Sequence, residues 1–468
     1  MTDFCLFSEK GSVPESFHHF FSFFRLENVK NCGILSELIK KRKRVVVMAK
    51  KSFFTVIEFG TSKITVVHCT LNKDGSPEIL GFATADSGNS VVKGDIVDVQ
   101  KAEQILAKVL AEADESVGSY FGRGDVYFLI SGRSISSLRG EGCVMIYSAD
   151  KRITESHIQE ADEKAKMSVP IPADMIDVDR FNSYYVLDKN LQVKDPLGCE
   201  ATRLDSVLHI IVAEQSKRNM IRGILHEAGF EKDSTDIFTG VAAFYGTLTR
   251  DEMENGVLMV DIGAGTIEYA GIFQNGLVAS GVIPLGIDNV ANDLAIGLDL
   301  PISLTRKMLI DGRIEAAKNA GEVYLEISSV NDVIHRDIPL ASIEKIISLR
   351  LQEMFSILKE ELESKGLMQS FQSGLVITGG GVRIPAVAEF ASGVLGCHKR
   401  IAVPFEIDGM NDQMKDPRYA AIFGAVRYVV DLVGYGAGLS LVNVADVFEN
   451  ITGGLMNGMK RVTKVFSK

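Results

Sequence analysis

The sequence predicts an α/β protein in which two related lobes face each other across a cleft, with an α+β subdomain inserted into the first lobe. Two observations lead to this prediction. A unit of strand, acidic residue, glycine loop, strand and hairpin starts at residue 53 and occurs again from residue 256. A repeat at this separation is typical of two similar domains with a binding site between them. The length of 468 residues also exceeds what one ordinary core accommodates.

The first copy of the repeated unit is predicted to form an antiparallel meander. The β-rich run 53–58 leads into the glycine loop Phe59-Gly60-Thr61-Ser62-Lys63, and a second β-rich run covers 64–71. The dipeptide Asp74-Gly75 follows, and Asp-Gly between two alternating apolar segments strongly indicates a hairpin. A third strand is therefore expected over 78–83.

The second copy has the same order of elements with different side chains in the loop. Its parts are the strand 256–260, Asp261, the loop Gly263-Ala264-Gly265-Thr266 and the strands 267–273 and 277–283. Asn275-Gly276 is predicted to form the turn between the last two strands. The two copies superimpose when Glu58 is aligned with Asp261 and Gly60 with Gly263.

The segments between and after the two copies complete the lobes. Residues 134–213 have no counterpart in the second copy, and we interpret them as the inserted α+β subdomain. The helices and strands expected outside the two copies are 102–117, 126–130, 142–147, 154–167, 207–212, 288–297, 340–364 and 375–378.

Six regions follow from this pattern. They are an N-terminal extension over 1–50, the first lobe over 51–133 completed by 418–436, the inserted subdomain over 134–213, the second lobe over 214–417, a linker over 437–454 and a terminal helix over 455–468. Within the extension, residues 1–47 contain a Phe-rich stretch and a basic run, in an order that a secretory signal does not have. We expect either a poorly ordered segment or a start codon assigned too early, with Met48 opening the protein.

The composition excludes several classes of function. A net charge of -11 argues against coating of nucleic acid, because neutralising phosphates needs an excess of Lys and Arg. The six cysteines are scattered without a Cys-x-x-Cys pair, which indicates free thiols in a reducing cytosol. A spanning helix needs an apolar run of about 18 residues, and the sequence has no such run.

The glycine loops have the chemistry that a polyphosphate needs. Glycine after a strand lets backbone N–H groups turn toward an anion, and hydroxyls and an ammonium add further donors. Asp261 ends a strand where it could hold Mg²⁺ through water, and Glu58 occupies the equivalent position. A third loop, Thr378-Gly379-Gly380-Gly381-Val382, precedes Pro385 at a predicted helix start and would permit the close approach of an adenosine. The predicted nucleotide-binding residues are Gly60, Thr61, Ser62, Lys63, Gly263, Ala264, Gly265, Thr266, Gly379, Gly380, Gly381 and Val382.

The order of the three loops resembles that of the actin, Hsp70 and sugar kinase superfamily. The segments 131–137, 169–172, 195–198 and 207–211 look specifically like FtsA, an actin-like protein of bacterial cell division. The resemblance implies an actin/Hsp70-like ATPase fold around a nucleotide cleft, bound ATP and Mg²⁺, and at most weak ATP hydrolysis. It also implies phosphate contacts from Gly60, Thr61, Ser62, Gly263, Gly265 and Thr266, and base or ribose contacts near Gly380 and Gly381.

The resemblance also implies a set of partners. An FtsA-type protein would bind the C-terminal tail of FtsZ through residues near 285–370, assemble with itself with help from the inserted subdomain, and meet other division proteins at the cytoplasmic face of the membrane. Two positions depart from the family pattern. Glu58 stands where Asp is usual, and the helix 303–311 has Thr305-Arg306-Lys307 where an Ala-Glu pair and a Lys are expected to touch the ribose and base.

The C-terminal segment 455–468 is predicted to be a basic amphipathic helix. Such a helix can bury its apolar side at the headgroup boundary while cations meet anionic lipid. Docking of the same stripe on the protein's own core is the structural alternative. The apolar stripe consists of Leu455, Met459, Val462 and Phe466, and the basic residues are Lys460, Arg461, Lys464 and Lys468.

Three other functions share the predicted fold. A small-molecule kinase would need a general base beside an acceptor pocket, and no carboxylate stands out apart from Glu58 and Asp261. An Hsp70-like chaperone would need a long substrate-binding region after Arg427, where the chain has too few residues. A pilus-assembly actin homologue would share the cleft but should lack the basic terminal helix.

Overall fold

The computed structural model describes residues 53–434 apart from 73, 118–123, 232–233 and 329–334. The predictions for the extension 1–50, the linker 437–454 and the terminal helix 455–468 therefore lie outside the described residues. So do the proposed membrane-binding residues Leu455, Met459, Lys460, Arg461, Val462, Lys464, Phe466 and Lys468. Every helix in the described part of the chain is too short or too polar to cross a bilayer.

The strands are numbered here in chain order. They are β1 (Phe54–Phe59), β2 (Lys63–Leu71), β3 (Pro77–Asp86), β4 (Val91–Val92), β5 (Asp95–Ile96), β6 (Asp125–Ile130), β7 (Ser136–Met145), β8 (Met175–Leu187), β9 (Leu191–Val193), β10 (Arg203–Glu214), β11 (Thr235–Phe238), β12 (Val257–Ile262), β13 (Ile267–Phe273), β14 (Gly276–Ile283), β15 (Tyr324–Ser328), β16 (His335–Pro339), β17 (Leu375–Thr378) and β18 (Lys399–Ile401).

The α-helices are numbered in the same way. They are α1 (Val99–Val117), α2 (Glu155–Met167), α3 (Gln215–Glu227), α4 (Thr239–Thr247), α5 (Arg250–Asn255), α6 (Ile287–Leu298), α7 (Ile302–Ile310), α8 (Arg313–Asn319), α9 (Leu340–Ser364), α10 (Pro385–Leu395) and α11 (Ala420–Gly434). Short 3-10 helices cover Met368–Ser370, Gly380–Arg383, Asp412–Lys415 and Pro417–Tyr419.

Two five-stranded sheets have the same topology, which confirms the predicted fold class. The first sheet has the order β11-β6-β1-β2-β3, and the second has the order β18-β17-β12-β13-β14. In each sheet the strand before the glycine loop pairs antiparallel with the strand after it and parallel with a later strand. The turn predicted at Asn275-Gly276 consists of Gln274 and Asn275, both with positive φ, because Phe273 pairs with Gly276.

The first lobe extends beyond the boundary that the sequence indicated at residue 213. Strand β11 lies in the range 214–417, which was assigned to the second lobe, yet it pairs in parallel with β6 of the first sheet. The strand has only four residues and is followed at once by helix α4, so it shows no alternating apolar pattern to identify it. The chain therefore returns from the insertion to the first lobe before it enters the second.

Helices α4 and α11 pack against each other between the two sheets. A Cβ at Gly424 of α11 would overlap the carbonyl oxygen of Ala242 in α4, so glycine is required for this close approach. Strand β12 is buried on both faces: Val257 and Met259 join the core that contains these helices, and Leu258 and Val260 join the core under α6 and α9. The first of these cores contains residues of both lobes and holds them together, whereas the second lies within the second lobe.

The insertion is a four-stranded antiparallel sheet of order β7-β10-β8-β9 with α2 packed on one face. Its chain leaves the first lobe after β6, but its strands contact the edge strand β14 of the second. Ser183 Oγ donates to the carbonyl oxygen of Leu277 at 2.6 Å, and His209 Nε2 lies 2.7 Å from Ser280 Oγ. The insertion therefore touches both lobes.

Candidate functional site

The two glycine loops have the same backbone closure. Gly60 N donates to the carbonyl oxygen of Lys63 at 2.8 Å, and Gly263 N donates to the carbonyl oxygen of Thr266 at 2.9 Å. Each loop thus forms a four-residue turn at the end of β1 or β12. The alignment of Gly60 with Gly263 that the sequence indicated describes the same turn in both lobes.

The structure brings these loops into contact. A Cβ added to Gly265 would lie 2.5 Å from Thr61 Oγ1 and 2.8 Å from the Cα of Lys93, both in the first lobe. Real Cβ atoms do not approach so closely, so a side chain at this position would push the lobes apart. The second loop is also held by helix α6, because the carbonyl oxygen of Ala264 accepts a hydrogen bond from Asp288 N, in the first turn of that helix, at 2.8 Å.

The aligned acidic residues Glu58 and Asp261 lie in different environments. Glu58 Oε2 forms an ion pair with Lys63 Nζ at 2.6 Å. Asp261 is 8% exposed, and among the described residues no cation pairs with it. Burial raises the pKa of the Asp261 carboxyl well above its usual value, and the nearby carboxylates of Glu268 and Glu58 raise it further.

Glu268 is a cleft residue that the loop patterns did not reveal. It lies directly opposite Asp261 in the antiparallel pair of β12 and β13. Its Oε1 accepts from Thr266 Oγ1 at 2.7 Å and from Ser131 Oγ of the first lobe, so this contact crosses between the lobes. Burial raises its pKa. Pairing the two strands on either side of the four-residue loop would have placed Glu268 opposite Asp261, so the hairpin register is the sequence signal for this residue.

Two further elements of the first lobe reach the same place. Lys217 of α3 donates to Asp95 Oδ1 at 2.6 Å and to the carbonyl oxygen of Ser131, and burial lowers its pKa. The turn between β4 and β5 donates through Gly94 N to Thr61 Oγ1 at 3.1 Å. Neither element has a sequence pattern that marks it as part of a site.

The third loop packs beside Asp261. A Cβ at Gly379, which has a φ of +90°, would overlap Asp261 Oδ1, and one at Gly381 would lie 2.5 Å from Ile262 Cγ2. Val382 is buried. A Cβ at Gly380 would have its nearest neighbour at 3.6 Å, on Arg418, so Gly380 is the member of this loop with room beside it.

The helix that departs from the family pattern is bound to its neighbour. Arg306 of α7 makes two hydrogen bonds with Asp288 of α6, at 2.8 and 3.0 Å. Thr305 is buried and donates to the carbonyl oxygen of Ala291, whereas Lys307 is exposed. Thr305 and Arg306 therefore tie α7 to α6.

The residues in the cleft fit a metal that arrives with phosphates better than a metal held by protein alone. Within the described residues, no group of three or more His, Cys, Asp or Glu side chains has the geometry to hold a metal ion. Mg²⁺ usually takes one or two carboxylates and fills its other positions with water and phosphate oxygens. Asp261 can supply one such carboxylate, and the loops supply the hydroxyl and backbone donors that a phosphate needs.

Cavities elsewhere on the surface do not coincide with the three loops. One of about 570 Å³ lies between α9 and α10 and is lined by residues that include Ser356, Lys359 and Phe390. Another of about 410 Å³ lies at the start of α3. The chemistry of the carboxylates and glycine loops, rather than cavity size, identifies the cleft as the candidate site.

Comparison with known proteins gives two family matches. A model described as cell division protein FtsA matches residues 258–424, and one described as the SHS2 domain inserted in FtsA matches residues 132–212. The cell division protein FtsA of Pseudomonas aeruginosa is 28% identical over 387 residues, which is 82% of this chain and 91% of that protein. The protein of the same name from Escherichia coli K12 is 25% identical over 420 residues, covering 88% and 97%.

A solved structure supports the same fold. The structure of a PilM-PilN type IV pilus biogenesis complex superimposes with a TM-score of 0.55 at 16% identity, covering 81% of this chain and 99% of the matched chain. At this identity the likeness concerns the fold alone. The solved structure therefore supports the two-lobed fold, whereas the matches in sequence are to FtsA.

Proposed function

This chain belongs to the FtsA family of cell division proteins, and we propose that it is an ATP-binding, actin-like scaffold that tethers FtsZ filaments to the cytoplasmic face of the cell membrane. The observation that carries the ATP part is the contact of the two glycine loops beside Asp261. Gly265 lies against Thr61 of the other lobe, so donors from both lobes converge on one place.

The proposed site divides its work between the loops. The phosphates are bound by the backbone N–H groups of Gly60-Thr61-Ser62 and Gly263-Ala264-Gly265-Thr266 that the loop turns do not use, and by the hydroxyls of Thr61 and Ser62. The Lys63 ammonium, which is paired with Glu58, adds a further donor. Gly379, Gly380, Gly381 and Val382 form the wall for the adenosine, and Gly380 offers the space. Mg²⁺ bound with ATP supplies the positive charge that the cleft carboxylates require. Of the two proposed metal ligands, Asp261 is favoured because Lys63 already neutralises Glu58.

Nucleotide-dependent scaffolding is favoured over small-molecule phosphorylation. A kinase needs a carboxylate base beside a pocket for the acceptor. Glu268 is hydrogen-bonded to Thr266 and Ser131, and the surface cavity near α3 contains no residue of the loops. We therefore assign no catalytic residue and expect ATP turnover to be slow at most.

Exposed apolar side chains support the proposed protein partners. In the region 285–370, Ile296 is 74% exposed and Val323 is 67% exposed, which suits it to bind the apolar side chains of an FtsZ tail. In the insertion, Tyr147 is 88% exposed and Met167 is 78% exposed. We propose that these two surfaces serve FtsZ binding and self-assembly respectively, leaving other division proteins to bind elsewhere.

The membrane part of the proposal depends on the segment 455–468, which lies outside the described residues. Its apolar stripe and its basic face would place it at the surface of an anionic bilayer. The chain as a whole carries a net charge of -11, so a terminal cluster of cations is better explained by a lipid partner than by the general composition.

Co-sedimentation with anionic liposomes tests the scaffold function. The full chain should carry FtsZ filaments into the liposome pellet in the presence of Mg-ATP, and a chain ending at Gly454 should leave both proteins in the supernatant. Phe466→Glu should behave like the truncated chain, whereas Phe466→Leu, which keeps the apolar stripe, should behave like the full chain. Equal pelleting of full and truncated chains, or no pelleting of either, would overturn the membrane assignment.

A further inference from the structure

The hairpin of β4 and β5 places its tip between the two lobes. Val91 pairs with Ile96 and Val92 pairs with Asp95, so the turn consists of Lys93 and Gly94 alone. Their φ angles are +51° and +74°, as a two-residue turn of the I′ type requires. A Cβ at Gly94 would lie 2.8 Å from Gly132 N, and the Cα of Lys93 faces Gly265 of the second lobe. The tip therefore contacts the loops of both lobes.

The contact with Thr61 orients a hydroxyl that is expected to bind phosphate. Thr61 Oγ1 accepts a hydrogen bond from Gly94 N at 3.1 Å. A hydroxyl has one hydrogen to donate and two acceptor positions, so accepting from Gly94 leaves its own hydrogen available to an anion. The hairpin thus prepares the first loop to act as a donor.

Among the described residues at the loops and the β4–β5 hairpin, Lys93 is a cation without an acidic partner. Glu58, Asp261 and Glu268 make this part of the cleft acidic. Lys63 is bound to Glu58, and Lys217 is bound to Asp95. Lys93 is half-buried at the tip of the hairpin and forms no ion pair with any residue that the structure describes. A polyphosphate entering this acidic region gains most from a cation that is not already neutralised.

We propose that Lys93 is a phosphate-binding residue of the cleft, delivered to the two glycine loops by the β4–β5 hairpin. This inference rests on the proposed binding of ATP and adds a residue that none of the three loops contains. Because Lys93 acts through charge, its contribution grows with the number of phosphates on the nucleotide. The affinity for ATP depends on it more than the affinity for AMP.

Equilibrium titrations of ATP, ADP and AMP into the full chain with Mg²⁺ test this role. Lys93→Ala should weaken ATP binding by about tenfold or more, the value for a charge-assisted hydrogen bond. It should change AMP binding much less, and Lys93→Arg should restore most of the ATP affinity. The matched control is Lys108→Ala, which removes a cation from the exposed face of α1, where Lys108 pairs with Glu112. Unchanged thermal unfolding of Lys93→Ala would show that the fold is intact.

The outcomes separate this inference from the proposed function. If the wild-type chain and Lys108→Ala bind ATP and Lys93→Ala binds it equally well, the role of Lys93 is refuted and ATP binding stands. A loss that is the same for ATP and AMP would also refute it, because a packing defect in the turn would not depend on phosphate number. If the wild-type chain does not bind ATP, both the proposed function and this inference fall.

Discussion

The glycine loops of the two lobes share the same backbone turn but differ in the charges around them. In the first loop, Glu58 and Lys63 neutralise each other at 2.6 Å. In the second, Asp261 is buried opposite Glu268, and the pKa values of both are raised by burial. The residue opposite Glu58 in the first sheet is Thr65, which carries no charge. The repeated unit thus determines where the loops lie, and the side chains give each copy a separate task.

This difference explains why one copy alone would not make the site. Buried like charges facing each other across two strands are unfavourable unless a cation or a proton offsets them. The first loop, already neutral, contributes donors, and the second contributes uncompensated negative charge suited to a metal bound with phosphates. Substitutions at equivalent positions of the two loops should therefore have unequal effects.

The largest difference is expected between Gly265→Val and Ser62→Val, since Gly265 aligns with Ser62. A side chain at Gly265 would collide with Thr61 and the backbone of Lys93, whereas the side chain of Ser62 is exposed. Overpacking of this kind costs up to about 3 kcal/mol, so Gly265→Val should weaken ATP binding about a hundredfold. Ser62→Val should weaken it far less in the same titration. Similar losses in both variants would contradict the unequal roles.

Removing the aligned charges should shift stability in opposite directions. Asp261→Asn removes a buried carboxylate that faces Glu268, so the free energy of unfolding at neutral pH should rise by about 1–2 kcal/mol. Glu58→Gln breaks the ion pair with Lys63, whose two side chains are largely buried, and should lower it by about 2–3 kcal/mol because the ammonium is left without its partner. Urea unfolding measures both, and ATP titration should show that only Asp261→Asn loses its dependence on Mg²⁺. A destabilised Asp261→Asn would argue that the carboxylate is held by a partner.

Substitutions at equivalent positions of the two lobes should also differ in how they change the dependence of stability on pH. The folded-state pKa values of Asp261 and Glu268 are raised, so the folded chain binds protons that the unfolded chain has released. Their favourable contribution is fully present below about pH 4 and is lost as the pH rises through the raised values. Glu268→Gln should therefore lose less stability than the wild type, by about 1 kcal/mol, as the pH rises from about 4 to neutrality. Thr65→Val, at the equivalent position of the first lobe, should leave the pH profile unchanged.

The smallest effect on stability and ATP affinity is expected outside the loops, at Arg306 in the helix that departs from the family pattern. Arg306→Ala breaks the two hydrogen bonds to Asp288. The side chain of Arg306 is 40% exposed and that of Asp288 is 29% exposed. Screening by solvent limits the loss of unfolding free energy to about 1 kcal/mol. ATP affinity should change little, because the contact ties α7 to α6 and involves neither glycine loop. A large loss of affinity would place α7 against the nucleotide.

The sequence predicted the repeated lobes and the inserted subdomain because the information is local. Within about thirty residues, each copy of the unit has strands with alternating apolar residues, an acidic residue at the end of the first strand, and a glycine loop. Such short-range patterns can be recognised without a structure. Helix α9 matches its predicted range from Leu340 to Ser364. Strand β11 was missed because four residues without alternation give no periodic signal.

The site residues that the sequence missed depend on pairing across the chain. Glu268 belongs to the cleft through its register with Asp261, and Ser131 reaches it from the other lobe. Lys93 lies on a hairpin whose strands have two residues each, too short for a pattern. The Glu58–Lys63 ion pair was also unforeseen, because a loop sequence does not determine which charges neutralise each other.

Titration of ATP into the purified full chain, with Mg²⁺ and with EDTA, tests the central claim most directly. The account predicts saturable binding that is strengthened by Mg²⁺ in the wild type, is weakened only slightly in Ser62→Val and is weakened about a hundredfold in Gly265→Val. Absence of binding in the wild type, or equal binding by wild type and Gly265→Val, would contradict the assignment of the cleft between the two glycine loops as the nucleotide site.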